Sequence, residues 1–179
     1  MVVSRSIHIN APVERVFALI SDPLERARLN PEAAPIRVEI EGEPRLQTGS
    51  ICHYRLQVGR RIVDYRMRVS EFVPGRRLVS VSDSAVPIEV GIETVAENGG
   101  TRLTQSEQFE PTDEMLMESA PSDPSDRALR FLEWLLPFLD LDYARRVLAR
   151  REELLRERLE SNLDNWLLAI KRRLEDGPA

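Results

Sequence analysis

Residues that bind metals or form cross-links are scarce in this sequence, which has one cysteine and two histidines among 179 residues. The single cysteine, Cys52, excludes an internal disulfide framework and any multi-cysteine zinc or iron–sulfur site. The histidines, His8 and His53, lie far apart and match no histidine-based metal motif. We therefore expect no metal site and no cofactor.

The chain also lacks an excess of positive charge and a long apolar run. Its net charge is −5, and Lys171 is the only lysine. A nucleic-acid-binding domain usually carries a concentrated basic face, so the composition disfavours that class. No stretch reaches the ~18 apolar residues of a membrane-spanning helix, and the N-terminus has no apolar signal region. We expect one cytoplasmic domain over residues 1–179, with no integral membrane association and no nucleic-acid partner.

The first thirty residues change from the period of a strand to that of a helix. Val2–Asn10 alternates as a strand does. Asn10 is a candidate N-cap, and Pro12 suits the first helical turn because its missing N–H costs nothing there. The next apolar residues recur at helical spacing and predict a short amphipathic helix: Val13, Val16, Phe17 and Ile20. The following Ser-Asp-Pro ends it and caps a second short helix over Leu24–Leu29.

Between Pro35 and Pro111 the apolar period is close to two. This pattern predicts six strands, near Ile36–Glu41, Ser50–Val58, Arg61–Phe72, Arg77–Ser82, Ile88–Ala96 and Thr101–Glu110. Glycine-containing turns separate several of them: Thr48-Gly49, Val58-Gly59-Arg60, Pro74-Gly75 and Asn98-Gly99-Gly100. Connections this short cannot form parallel crossovers, so we predict an antiparallel meander.

The C-terminal third is predicted to be helical after a loop rich in proline and acidic residues. A helix is expected over Arg127–Leu136, interrupted at Pro137, and the last helix over Asp142–Glu175. The last helix has a single apolar stripe: Leu148, Leu155, Leu159, Leu163, Trp166, Ile170 and Leu174. Arg150–Glu160 on its opposite face interleaves both signs of charge, which favours a solvated helix face over a nucleic-acid surface.

The order of these elements predicts an α+β fold: one strand, two short helices, six antiparallel strands, an extra helix and a long C-terminal helix. A sheet that is apolar on one face must cover that face. The long helix is the natural cover, since its charged side cannot be buried. We expect a curved sheet of about seven strands wrapped around this helix, with a gap between them that forms a ligand pocket.

Three segments resemble a known superfamily: Ile7–Pro23 (IHINAPVERVFALISDP), Val69–Leu78 (VSEFVPGRRL) and Gly99–Gln105 (GGTRLTQ). They are similar to segments of the polyketide cyclase/dehydrase and lipid-transport proteins, the START-like or Bet v 1-like (SRPBCC) superfamily. The resemblance covers about residues 3–112 well and the last helix by position. It implies a helix-grip fold that binds apolar or amphipathic small molecules in the cavity between sheet and helix. Members include transporters, aromatase/cyclases, receptors and co-chaperones.

Residues 113–141 depart from that resemblance. The superfamily normally passes straight into the last helix, whereas this chain inserts a proline-rich loop and an apolar segment within 131–139. Phe131, Trp134, Leu135 and Phe138 share one helical face, but leucines extend the apolar surface around most of the segment. The segment is expected to form a lid over the cavity or a dimer contact, and the acidic flanks disfavour a membrane contact. The long C-terminal helix is taken as 142–176.

Alternation assigns the faces of the two central strands. Cys52, Tyr54, Leu56 and Val58 share one parity of the first, as Val63, Tyr65, Met67 and Val69 do of the second. This apolar set should face the helix. Tyr54, Leu56, Tyr65 and Met67 are therefore candidate cavity walls, with ordinary core residues as the alternative interpretation.

The last strand places two polar residues between two apolar ones, since Leu103, Gln105, Glu107 and Phe109 share one parity. If the apolar pair faces inward, the polar pair does too, and a carboxylate there needs a partner or a raised pKa. Glu107 is thus the one candidate catalytic residue, as a general acid/base or a group that orients a ligand. The alternatives are a bulge that turns Glu107 outward, or an ion pair with an arginine of a neighbouring strand.

The remaining reactive side chains are predicted to be inert. His53 shares its parity with Arg55 and Gln57 on the outer face, which favours a surface histidine over a general base. Cys52 has the inward parity, which is typical of a small buried hydrophobe.

Three functions remain open on these observations. The first is binding of a hydrophobic or amphipathic, lipid- or polyketide-like small molecule, and the second is a cofactor-independent aromatase/cyclase-type enzyme in the same cavity. The third is an interaction module that forms a homodimer through residues 127–140 and the C-terminal helix. The candidate ligand-binding residues are Tyr54, Leu56, Tyr65, Met67, Gln105, Glu107, Phe109, Trp134, Leu163, Trp166 and Ile170.

Overall fold

The computed structural model describes residues 1–83, 88–112 and 141–176, with side chains in the last range from residue 149. The chain divides into two compact units, Met1–Glu110 with Glu160–Ala179, and Pro111–Leu159. The long helix crosses from the second unit into the first. The extra helix predicted at Arg127–Leu136 and the side chain of Trp134 lie outside the described residues.

Seven strands and three helices make up the described part of the chain. The strands are β1 (Val2–Ile9), β2 (Ala34–Ile40), β3 (Ile51–Val58), β4 (Arg61–Val73), β5 (Arg77–Ser82), β6 (Ile88–Glu97) and β7 (Gly100–Phe109). The helices are α1 (Val13–Ile20), α2 (Pro23–Arg28) and α3 (Leu141–Glu175). None of these helices is long and apolar enough to cross a membrane.

The strands form one antiparallel sheet in the order β1-β7-β6-β5-β4-β3-β2. Consecutive strands from β2 to β7 pair with each other, because each connection is too short for a crossover. Several turns place glycine in the left-handed region, including Gly49, Gly59, Gly75 and Gly99. The predicted meander and the α+β helix-grip fold are therefore confirmed, and the strand bounds agree to within two residues.

One predicted cap is wrong. α1 begins after Pro12 and has no side-chain cap. Asn10 instead donates its backbone N–H to the Glu175 carboxylate at 2.7 Å. Asn10 lies two residues before the N-cap position of α1, and its backbone N–H bonds to the end of α3.

The first hydrophobic core lies where α1 and the C-terminal part of α3 pack on the sheet. It contains Ile9, Ala11, Val16, Phe17, Ile20, Val69, Leu78, Ile92, Leu103, Leu167, Ile170 and Leu174. The predicted apolar stripe of α3 omitted Leu167, which is 1% exposed and belongs to this core. Trp166, which the stripe included, is half-buried beside it.

A second core lies at the β2 end of the sheet. It contains Ala27, Cys52, Tyr54, Leu56 and Met67. The face of the sheet that bears Cys52, Tyr54, Leu56 and Met67 is called the inner face below.

Candidate functional site

The site is built around Arg26, a residue that the sequence analysis did not select. Asp22 caps α2 by accepting hydrogen bonds from the backbone N–H groups of Leu24 and Glu25, both at 3.0 Å. Pro23, Arg26 and Ala27 then share the buried side of the helix, at helical spacing. The Trp166 indole Nε1 donates to the Arg26 backbone carbonyl at 3.1 Å, which attaches α2 to α3.

Arg26 is only 8% exposed. Its Nη2 donates a hydrogen bond to the Tyr54 hydroxyl at 3.1 Å. Within the described part of the chain, none of the ion pairs involves Arg26. Arg26 therefore brings a buried positive charge whose hydrogen-bond partner is neutral.

Two tyrosines form the sheet side of the site. Tyr54 and Tyr65 are cross-strand partners on β3 and β4. Their rings stack with centroids 5.1 Å apart and an interplanar angle of 11°. The antiparallel register thus places both rings on the inner face, as the alternation predicted.

Gln105 and Glu107 approach from β7. Gln105 is 2% exposed, and its Nε2 donates to Glu107 Oε1 at 3.3 Å. The pairing of β7 with β1 and with β6 runs through Glu107 without a register shift. The alternative of a bulge that turns Glu107 outward is therefore wrong. The alternative of an ion pair with a strand arginine fails too, since no arginine of the described residues pairs with Glu107.

The five residues Arg26, Tyr54, Tyr65, Gln105 and Glu107 form what we call the polar cluster. Burial raises the pKa of Glu107, while the hydrogen bond from Gln105 and the charge of Arg26 act in the opposite direction. The pKa of Tyr65 is raised to about 12, mainly by burial and less by Tyr54 and Glu107, while the charge of Arg26 acts in the opposite direction. Both groups consequently keep their protons to higher pH than exposed groups of the same type.

Apolar side chains continue the inner face away from the polar cluster. Leu56 and Met67 are buried beside the tyrosines. Towards the β3–β4 hairpin, Val63 lies opposite Leu56, and Val58 is the last residue of β3. These two valines are 39% and 40% exposed. We call Leu56, Val58 and Val63 the apolar strip.

The other candidate ligand-binding residues of the described chain lie on β7 and on α3. Phe109 is buried near the end of β7, Leu163 is buried on α3, and Ile170 belongs to the first core. Trp166 touches the cluster through the Arg26 carbonyl. The spacing of Pro23, Arg26 and Ala27 was the sequence signal that could have identified Arg26.

His53 and Cys52 lie where alternation placed them. His53 is half-exposed, accepts a hydrogen bond from Arg66 Nε at 2.5 Å and lies 3.5 Å from a Glu41 carboxylate oxygen. Cys52 is buried, and burial raises the pKa of its thiol. A raised thiol pKa lowers the fraction of the nucleophilic thiolate.

Two surface grooves are lined entirely by residues of the first unit. One, of about 410 Å³, lies between the α1–α2 junction and the β2–β3 connection. The other, of about 480 Å³, lies beside the start of β2. Neither is lined by a residue of the polar cluster. No three His, Cys, Asp or Glu side chains of the described ranges group as metal ligands would.

The raised pKa of Glu107 predicts a specific pH dependence of stability. Its ordinary value is 4.5, so the folded state holds this proton more tightly than the unfolded state. The resulting stabilisation is present below about pH 4.5 and is lost as the pH rises through the folded-state pKa. In Glu107→Gln nothing titrates at this position, so we expect wild type to lose stability relative to this variant as the pH rises above about 4.5 and through the folded-state pKa of Glu107.

Urea unfolding at several pH values checks this expectation. Glu89→Gln, which removes an exposed carboxylate from the neighbouring strand β6, controls for loss of charge. A difference between wild type and Glu107→Gln that stays constant, or that shrinks as the pH rises, would refute it.

These features define a helix-grip protein: an antiparallel sheet, two short helices after the first strand and a C-terminal helix on the inner face. A family model described as "Polyketide cyclase / dehydrase and lipid transport" matches residues 1–134. The chain belongs to this family. No curated protein matches the sequence.

Solved structures share the fold at low sequence identity. Protein CV1439 from Chromobacterium violaceum is 17% identical with a TM-score of 0.62, and the alignment covers 99% of each chain. The di-domain ARO/CYC BexL from the BE-7585A biosynthetic pathway is 14% identical with a TM-score of 0.66, covering 99% of this chain and 51% of that one. The Aha1 dimer from Colwellia psychrerythraea is 12% identical with a TM-score of 0.58, covering 100% and 99%. At these identities the likeness shows the fold alone.

Proposed function

We propose that the protein binds a hydrophobic or amphipathic small molecule, lipid- or polyketide-like, between the inner face of the sheet and the C-terminal helix. The observation that carries this proposal is the polar cluster. Arg26 and Gln105 are buried and Glu107 is half-buried in a largely apolar surrounding, where polar groups are costly unless they are hydrogen-bonded. A few polar groups converging within an apolar lining are typical of small-molecule sites.

The proposed ligand-binding residues keep the set derived from the sequence, with Arg26 added. Burial of ligand against the apolar strip would supply affinity at roughly 25 cal/mol per Å², before the costs of association. The polar cluster would then set the orientation of the ligand. Membership of a family described by lipid transport and polyketide cyclisation supports this substrate class.

Native mass spectrometry of the freshly purified protein tests the proposal, with the denatured mass as reference. We expect an additional mass that is lost on denaturation. Val63→Glu places a charge on the apolar strip and should reduce the bound fraction. Ile62→Glu, one residue away on the outer face of β4, is the matched control and should retain it. The proposal fails if wild type carries no ligand and takes up none from a mixed lipid extract.

A second candidate function is a cofactor-independent aromatase/cyclase-type reaction with Glu107 as general acid/base. Burial raises the pKa of Glu107, and Tyr65 and Arg26 lie close enough to influence one another electrostatically. A carboxyl that titrates nearer to neutral pH is better suited to proton transfer. The ARO/CYC description of BexL supports the same chemistry on this fold.

Turnover of a linear poly-β-ketone distinguishes catalysis from binding alone. General acid–base catalysis contributes about 10²- to 10⁴-fold, so Glu107→Gln should lose at least about 100-fold in rate while still binding the substrate. Absence of turnover by wild type, or equal rates for both proteins, would leave binding as the function.

Homodimerisation remains a proposal as well. Residues 127–140, one half of the predicted interface, lie outside the described residues. A dimer occurs in the structural neighbour from Colwellia psychrerythraea. The native mass spectrum reports the oligomeric state directly, and a monomer at micromolar concentration would remove this proposal.

A further inference from the structure

We propose that the ligand of this site carries a carboxylate, which forms an ion pair with Arg26 while the apolar remainder of the ligand lies along the apolar strip. This inference rests on the proposed function and specifies its substrate class. The protein should therefore bind anionic amphiphiles more tightly than neutral or cationic ones.

Arg26 differs in its environment from the arginines of the sheet. Arginines of the sheet such as Arg77 and Arg102 pair with carboxylates, those of Glu71 and Glu97. Arg26 is more than nine-tenths buried, and the one hydrogen bond of its side chain among the described residues goes to Tyr54. A buried guanidinium without an anion is costly. A carboxylate matches its planar donor geometry in a bidentate manner, which makes an anionic ligand group the natural complement.

The side chain of Arg26 has more donors than the Tyr54 hydroxyl takes up. A guanidinium has five N–H donors. In the described part of the chain, no fully enclosed side-chain nitrogen or oxygen lacks a hydrogen-bond partner. The nitrogens of Arg26 that have no partner are therefore not sealed in the core.

The charges around Arg26 favour an incoming anion. The titratable groups on which its charge acts are Cys52 and Tyr54 on β3, Tyr65 on β4 and Glu107 on β7. Glu107 is the one carboxylate of this set, and it accepts its hydrogen bond from Gln105. Burial raises the pKa of the Glu107 carboxyl, so this group stays protonated to higher pH than an exposed carboxyl does. When it is protonated, the cluster carries the positive charge of Arg26 without a negative charge from Glu107.

The apolar strip gives the ligand body a direction. Tyr54, Leu56 and Val58 lie two residues apart on the same face of β3. At about 3.3 Å per residue, the strip extends roughly 13 Å from the Tyr54 backbone to Val58. The half-exposed Val58 and Val63 mark its open end. The carboxylate would thus lie inward at Arg26, with the apolar body pointing towards the hairpin.

Dodecanoate and dodecan-1-ol test the inference, because they share one chain and differ in the charged group. Titration calorimetry should show tighter binding of dodecanoate to wild type. Arg26→Gln should lower the affinity for dodecanoate at least about tenfold and change the affinity for dodecan-1-ol less than about twofold. Arg55→Gln, which removes an exposed arginine from the outer face of β3, is the matched control and should change neither.

A second readout avoids dependence on the folding of the Arg26 variant. At pH values where dodecanoate is already ionised, its affinity for wild type should fall as the pH rises through the titration of Glu107, and Glu107→Gln should abolish this fall. Wild type that binds dodecan-1-ol as tightly as dodecanoate at every pH overturns the carboxylate assignment and leaves the proposed function intact. Wild type that binds neither probe overturns both.

Discussion

Replacing Leu167 by alanine should lower the free energy of unfolding by about 3 kcal/mol, within the usual range for a buried leucine. Leu167 is 1% exposed and packs in the first core with residues of β1, α1 and the sheet. The loss has two parts, the burial energy of the removed methyl groups and the cavity that they leave. In a domain of this size the melting temperature should fall by roughly 6–12 °C.

Leu168 provides a matched control for this experiment. It follows Leu167 on the same helix but is 37% exposed, so the same substitution leaves no cavity. Its cost should stay below about 1 kcal/mol. Urea unfolding monitored by tryptophan fluorescence would measure both variants. Equal costs at the two positions would show that this face of α3 does not pack on the sheet as described.

Gly100→Ala is expected to cost about 3 kcal/mol, the upper part of the range for overpacked sites. Gly100 is buried at the start of β7, beside the end of β1. An added methyl group would meet the carbonyl oxygen of Ile9 well inside van der Waals contact, and it would lie 2.9 Å from the His8 ring. A backbone atom held in the β-sheet cannot move aside, so the pairing of β1 with β7 must shift.

Gly91→Ala separates this clash from the general effect of glycine replacement. A methyl group there would lie 2.7 Å from Ser106 Oγ, a side-chain atom that can rotate away. Its cost should therefore be much smaller. Thermal unfolding of both variants tests the comparison, and a Gly100→Ala protein as stable as Gly91→Ala would contradict the described register at β1.

The sequence alone was sufficient to predict the antiparallel sheet. Strand alternation is local, and a period of two interrupted by glycine turns leaves few arrangements other than an antiparallel meander. The inward orientation of Tyr54, Leu56 and Met67 follows from the same alternation, and all three are buried. The N-terminal segment that resembles the superfamily was likewise sufficient to identify the family, which the match over residues 1–134 confirms.

Only the tertiary structure decided what those strands bring together. The burial of Arg26 depends on where α2 lies against β3 and α3, and helical spacing by itself does not show which side will be covered. Glu107 faces inward only if β7 has no bulge. The absence of a bulge is visible only in the pairing of β7 with both of its neighbours, β1 and β6. Asn10 was misassigned as a cap because α1 begins at Val13, with Pro12 in the N-cap position, so Asn10 lies two residues too early to cap it. Periodicity records the neighbours of a residue within its own element, whereas the charge balance of a site depends on contacts between elements distant in sequence.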